Sequence, residues 1–212
     1  MNKKDRPIVV AITGASGVLY SLRLLETLLR LKKRVHLTIS KSGFAVLGHE
    51  YGVKADPANF SIADLFTTNY PFAWQPTAEE TTYLRYDSVD DFFAPMASGS
   101  HQTAGMVICP SSGATTSAIA RGASSNLIHR AAEVHLKEKR KLVLVPRETP
   151  MSVIQLQNLT DLARLGTVIL PASPGFYQGG KTVADLIDFV VARILDQLEV
   201  EHTLSTRWGD SC

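Results

Sequence analysis

The sequence has little cysteine. Cys109 and Cys212 are the two in 212 residues, too few for a disulfide framework or a thiolate metal cluster, and a reducing compartment suits them. It has no charge excess: 22 Lys and Arg against 20 Asp and Glu leave a formal +2, so no nucleic-acid partner is expected and ligand charge must be met locally. No uninterrupted apolar stretch approaches the ~20 residues that cross a bilayer. The opening MNKKDRP leads into a strand without the apolar core of a secretion signal, so a cytoplasmic protein with no membrane partner is expected. Acids and histidines are not grouped as metal ligands either. Asp90-Asp91 is not a DDxxD cluster, and the six histidines (His36, His49, His101, His129, His135, His202) are scattered, each read as structural or solvent-facing.

What is present is enough apolar material for one core. Hydrophobic residues make up 45% of the chain, and no shift in composition divides it, which predicts a single domain over residues 1–212. Its most informative stretch is PIVVAITGASGVLYSLRLL, Pro7 to Leu25. Ile8 to Thr13 reads as a strand, Gly14-Ala15-Ser16-Gly17 as a small-residue turn, and Leu19, Leu22, Leu24 and Leu25 as the apolar side of a helix. Two readings stay open for the turn. It is an anion site, using the free N–H groups and partial positive charge of a helix N-terminus, or a tight βα connection with no ligand.

The next strand, Val35 to Ile39, delivers Ser40 and Lys41 to the place where a dinucleotide-binding unit carries an acid for the ribose diol. No acid is there, and the glycine pattern is GxxG rather than GxGxxG. Both features argue against NAD and leave flavin mononucleotide compatible, with an NADP-dependent reductase resting on Lys41 alone. Gly105 to Cys109 (GMVIC) predicts a buried strand opening into Pro110-Ser111-Ser112-Gly113-Ala114-Thr115-Thr116, a second hydroxyl-rich turn. Two such turns after separate parallel strands converge at the carboxyl edge of the sheet. Alternatively, Ser111 or Ser112 only caps the following helix.

Elsewhere the pattern predicts a helix from about Ser42 that brings Glu50 to its last turn, where a solvated surface acid is the default. Tyr51 to Pro76 is the least regular part, with a short helix near Ile62 to Phe66. Thr81 to Tyr86 reads as a strand, and Asn126 to Lys139 as a helix carrying Arg130 and Lys137 two turns apart on one face. The strand Leu142 to Val145 runs into Pro146-Arg147-Glu148-Thr149-Pro150, a proline-restrained loop that holds an Arg-Glu pair at the ligand edge. A helix over Ser152 to Leu165 and a strand over Thr167 to Leu170 lead to the loop PASPGFY, which presents Tyr177. The last helix, Val183 to Leu198, carries Arg193 beside its apolar side, and the tail after 199 holds Trp208, expected to dock on the body or on a neighbouring subunit.

TGASG, PRETP, PASPGFY and TRWG, in that order and together with ICPSSGATTSAIARGASSNLIHRAAEVHLKE, resemble the flavin prenyltransferase family, the UbiX type, over nearly the whole chain. The resemblance implies a flavodoxin-like, Rossmann-type three-layer α/β fold with a mostly parallel sheet. It also implies a homododecamer with sites between subunits. The reaction it implies joins the dimethylallyl group of dimethylallyl phosphate to reduced FMN, giving prenylated FMN for UbiD-type decarboxylases. On this resemblance Gly14, Ala15, Ser16, Ser40, Ser112, Gly113, Ala114, Thr115 and Arg130 hold FMN. Ser98, Lys137, Arg147, Tyr177 and Arg193 hold the prenyl phosphate, while Ser16, Glu50 and Glu148 take part in the chemistry.

That assignment is chemically coherent. Breaking an allylic C–O bond needs fixed positive charge at the leaving phosphate and electron density beside the carbon. Lys137, Arg147 and Arg193 supply the first and reduced flavin the second. With no aspartate-rich cluster for Mg²⁺, a metal-free route is expected. Glu148 is the candidate acid for the phosphate, and Glu50 the candidate for the proton lost on ring closure. The alternatives are an FMN-dependent decarboxylase of the cysteine-decarboxylase type, whose PxMNxxMW-like loop is missing here, and a non-catalytic flavin-binding accessory protein.

Overall fold

Five consecutive apolar residues form β1 (Ile8–Ile12), and all five are buried. A strand with no solvated face must be covered on both sides, which is the pattern of a parallel sheet between two helical layers. The computed structural model describes residues 5–67, 69–176 and 180–205. Tyr177 and Trp208, and with Trp208 the expected docking of the tail, lie outside them, as does Cys212.

The strands β1, β2 (Val35–Ile39), β3 (Leu84–Tyr86), β4 (Gly105–Ser111), β5 (Leu142–Pro146) and β6 (Val168–Ile169) form one sheet in the order β3-β2-β1-β4-β5-β6. Every pairing is parallel. This is a doubly wound order whose direction of winding reverses between β1 and β4. The period-two alternation of a strand sorts β1 between the two layers. Ile8, Val10 and Ile12 pack in one apolar cluster with α1 (Val18–Arg30) and α7 (Val183–Gln197). Val9 and Ala11 pack in the other with α4 (Gly113–Ala120), α5 (Leu127–Lys137) and α6 (Val153–Arg164).

Three sequence-based boundaries change. Thr81 is not in a strand: α3 (Ala78–Thr81) occupies that position, started by a capping box in which Thr77 and Glu80 satisfy each other's backbone N–H, and only Leu84–Tyr86 pairs with β2. The strand predicted to stop at Cys109 continues through Pro110 to Ser111, with an irregular register between Ile108 and Ser111. The last strand shrinks from Thr167–Leu170 to two residues at the sheet edge. The irregular segment after α2 (Lys41–Tyr51) lies over α1. Glu26 of α1, 1% exposed, pairs with Arg23 at 2.8 Å and Arg30 at 3.1 Å and accepts the Tyr70 hydroxyl. The Arg23 guanidinium lies 4.1 Å over the Phe72 ring and also pairs with Asp188 of α7 at 2.6 Å. Burial first, then the Glu26 carboxylate, push the Tyr70 phenol upward. A buried carboxylate is tolerated there because each of its oxygens is partnered.

At the reversal point one hydroxyl joins the two central strands. Thr13 Oγ1 donates to the Pro110 carbonyl at 2.7 Å and accepts from the Ser112 N–H at 2.8 Å. Thr13→Val keeps the shape but leaves both backbone groups unpaired. At about 1–3 kcal/mol for each orphaned group, it should cost roughly 2–6 kcal/mol in urea unfolding, whereas Thr13→Ser should recover most of that; equal losses would show that the hydroxyl is not the joint. A second expectation concerns acid. The Ala131 carbonyl can only accept, so His135 Nδ1 carries the proton (2.7 Å), and Nε2 accepts from the Thr103 hydroxyl (2.8 Å). Burial pushes this imidazole from 6.5 down to about 4, and burial does the same to His36. Between those two values the unfolded chain binds protons that the fold refuses, so stability is lost as pH falls from 6.5 to about 4. Tm measured across that range should fall, and His135→Gln should flatten the slope even though it lowers Tm at pH 7.

Candidate functional site

The site is built where β1 and β4 part, since the turns that follow them open at one sheet edge on opposite faces. Gly17 ends the first turn at φ 101°, a left-handed conformation that favours glycine. Gly14 is held by space: a Cβ there would lie 2.5 Å from Ser42 Cβ and Oγ. Ser42 belongs to the first turn of α2. The N-cap of that helix is Ser40, whose Oγ accepts the Gly43 N–H at 2.9 Å and lies 3.2 Å from Ser42 Oγ.

The N-terminus of α1 holds an anion, and the anion is the chain's own. Glu50 accepts the Gly17 N–H at 3.1 and 3.2 Å and the Val18 N–H at 3.2 Å. Its place at the end of α2 runs against the dipole of that helix, but its carboxylate sits at the favourable end of a neighbouring one. The surface-acid default for Glu50 is therefore wrong, and the N–H groups of Gly17 and Val18 are not free for a ligand. From the end of β5, Arg147 Nε donates to the Ser16 carbonyl at 3.1 Å. One peptide group, Ser16–Gly17, thus takes a guanidinium on its oxygen and a carboxylate on its N–H.

The second turn is capped by its own hydroxyls. Ser112 Oγ accepts the Thr115 N–H at 3.3 Å and donates to Thr115 Oγ1 at 3.0 Å, while Ser111 and Thr116 pair below them at 3.0 Å. Gly113 and Ala114 follow the cap in the first turn of α4, where N–H groups have no intrahelical acceptor. The N-cap reading of Ser112 and the ligand reading thus coexist, because capping uses only one donor. Glu148, next to Arg147, accepts from Gln155 Nε2 at 3.2 Å. The space beside it, lined by Ser111, Gly113, Thr116, Pro146, Met151 and Gln155, is only about 10 Å³. Hollows of about 630 and 320 Å³ lie at the opposite, amino end of the sheet. The space beside Glu148 is thus far smaller than a flavin needs.

The other predicted residues lie apart from this group. Ser98 ends a short 3₁₀ turn (Pro95–Ala97) with its Oγ 2.9 Å from Ser100 Oγ. Arg130 Nε donates to the neighbouring Ala97 carbonyl at 3.2 Å, and its Nη1 meets Glu133 at 3.3 Å. The Ser124 hydroxyl and Arg130 hold the Glu133 carboxyl below its usual range. Lys137 is near Glu138 (3.8 Å) at the end of α5, and Arg193 pairs with Asp196 (2.8 Å) on α7. Both helices run back towards the amino end of the sheet. Among the described residues, none of Ser98, Arg130, Lys137 or Arg193 makes a hydrogen bond or ion pair to Gly14–Gly17, Glu50, Arg147 or Glu148. Sequence reasoning missed Thr13 and Gln155. The second had a signal, Ser152-x-x-Gln155, the pattern of a capping box.

The Flavoprotein family model matches residues 1–195. The chain is 47% identical over 201 residues to the flavin prenyltransferase UbiX of Halalkalibacterium halodurans, covering 95% of this chain and 92% of that one. Its fold superposes with a TM-score of 0.80 on AnUbiX, solved in complex with FMN and dimethylallyl pyrophosphate, at 36% identity and over 96% of this chain and 97% of that one. It also superposes, again at 0.80, on a dodecameric FMN-dependent UbiX-like decarboxylase from Escherichia coli O157:H7, at 35% identity and over 95% of this chain and 98% of the other. A doubly wound parallel sheet with two hydroxyl-rich turns at its reversal point, together with likeness of this extent, places the chain in the Flavoprotein family and, within it, among the flavin prenyltransferases of the UbiX type.

Proposed function

We propose that the chain transfers the dimethylallyl group of dimethylallyl phosphate to N5 and C6 of reduced FMN, yielding prenylated FMN and phosphate. One observation carries the roles of the residues: the Ser16–Gly17 peptide is gripped by Arg147 and Glu50, with Glu148 adjacent in sequence to Arg147. A cation and two carboxylates thereby meet at the ligand edge of a prenyltransferase fold. The donor set there fits a flavin phosphate and its polyol: the hydroxyls of Ser40, Ser42, Ser112 and Thr115, and the N–H groups of Gly113 and Ala114 at a helix N-terminus. Gly14, Ala15 and Ser16 approach from the other turn, and Arg130, which lies apart from both turns in its own chain, is assigned to the flavin of a neighbouring copy.

Reduced flavin, when bound, supplies an electron-rich nucleophile and a π face beside a developing allylic cation. The protein does the rest. Arg147, with Lys137, Arg193, Ser98 and Tyr177, offsets the charge of the leaving phosphate. Glu148, aided by the Ser16 hydroxyl, protonates the leaving oxygen, and Glu50 takes the proton lost when the new ring closes. Ser98, Lys137 and Arg193 lie away from the turns of their own chain, so we assign them to the site of a neighbouring copy. The dodecameric state of the E. coli relative supports that assignment. The product is a modified flavin, and its expected consumer is a UbiD-type decarboxylase.

Purified protein incubated anaerobically with reduced FMN and dimethylallyl phosphate, or with the pyrophosphate in parallel, should raise the flavin mass by one prenyl group and release phosphate from the first donor or pyrophosphate from the second. An unchanged flavin mass with both donors overturns the reading. General acid–base groups contribute about 10²–10⁴-fold, so Glu148→Gln should slow phosphate release on that order. Glu50→Gln should instead leave phosphate release largely intact while the flavin fails to gain the fourth ring; a normal ring in that variant removes Glu50 from the step. Ser16→Ala should slow turnover more than it weakens FMN binding in a titration.

A further inference from the structure

Helix α6 opens with a capping box. Ser152 Oγ accepts the Gln155 N–H at 3.2 Å, and Gln155 Oε1 accepts the Ser152 N–H at 2.8 Å. The second bond does more than satisfy the helix end. A backbone N–H can only donate, so the amide of Gln155 must turn its oxygen inward and its NH₂ outward. That NH₂ reaches Glu148 Oε2 at 3.2 Å. Across the gap stands Gly113 at the start of α4, where a Cβ would lie 2.9 Å from Gln155 Nε2. The absence of a side chain at 113 therefore leaves the amide its place. A helix cap, a glycine on another element and a catalytic-loop carboxylate converge on one side chain.

We propose that Gln155 is a positioning residue for Glu148, holding its carboxylate at the mouth of the site through an amide whose orientation is fixed by the α6 cap. The proposal rests on the reading of Glu148 as the acid that serves the leaving phosphate. A hydrogen bond donated to a carboxylate favours its ionised form, and the amide supplies one to Glu148 Oε2. The groups around the pair carry little competing charge. Ser111, Gly113 and Thr116 from β4 and α4, Pro146 from β5, and Met151 and Leu159 from the α6 side line the space, and none of them titrates near neutrality. The charged neighbour is Arg147, whose Nε is turned to the Ser16 carbonyl.

Gln155→Glu is the informative variant. Glutamate is the usual acceptor of a capping box, so the helix start is kept while the donor to Glu148 becomes a second carboxylate. Two carboxylates at that spacing compete for one proton. With protein selectively ¹³C-labelled at glutamate and free of substrate, the Glu148 Cδ resonance, assigned through Glu148→Gln, should titrate about one pH unit or more higher in Gln155→Glu than in the parent. Gln155→Met, which removes the donor without adding charge, should move it upward by a smaller amount. Thermal melts should find Gln155→Glu cooperatively folded, with a lower Tm than the parent at pH 7 that recovers as the pH is lowered towards the range in which the carboxylate pair takes up a proton. A Glu148 titration unchanged in both folded variants overturns the proposal. The pH dependence of kcat separates this from the role of Glu148 itself: if the Cδ titration moves and the kcat profile does not, Gln155 holds Glu148 as proposed but Glu148 is not the acid of the reaction.

Discussion

The site depends on a single peptide group. Ser16–Gly17 offers an oxygen to Arg147 and an N–H to Glu50, and the chain leaves that peptide into α1 through the left-handed φ of 101° at Gly17, which favours glycine. Three chain segments distant in sequence are thereby fixed relative to each other before any ligand arrives. The arrangement also settles the electrostatics of the α1 N-terminus. Its positive end is already met by Glu50, so the second turn, capped only by Ser112, is the freer of the two for a ligand phosphate.

Beneath that peptide the Thr13 hydroxyl joins β1 to the end of β4. The reversal point of a doubly wound sheet is where neighbouring turns leave on opposite faces, and nothing in the regular ladder ties them together beyond the last strand pair. Thr13 supplies the tie. On the far side, the Arg23, Glu26 and Tyr70 group anchors the irregular segment after α2 to α1. That segment follows Glu50 directly, and the Thr67 hydroxyl donates to the Tyr51 carbonyl at 3.0 Å. The packing of an otherwise featureless loop therefore bears on the position of the Glu50 carboxylate.

Much of this was legible in the residues themselves. Apolar runs bounded by glycine and hydroxyl residues marked the buried strands, and the missing acid after β2 pointed away from NAD. The two turns were readable because glycine and serine at a strand end have few other uses. Glu50 was not: on its own helix it sits at the wrong end of the dipole, and only a second helix packed alongside makes its position favourable. Thr81 was misread because the Thr77 and Glu80 cap outweighed local β propensity.

What the sequence determined by itself was the class of fold, the location of the ligand edge and the residue types gathered there, since these follow from local periodicity and backbone sterics. What only the tertiary structure decided was which groups share an atom. The bonds from Arg147 and Glu50 to one peptide, and from Gln155 to Glu148, join residues 131, 33 and 7 positions apart. The first two depend on how separate elements pack, which no local pattern encodes. The third depends on a helix cap fixing the orientation of an amide. The separation of Lys137 and Arg193 from that edge was equally hidden, because a helix running back across the sheet carries its last turns to the opposite end of the molecule.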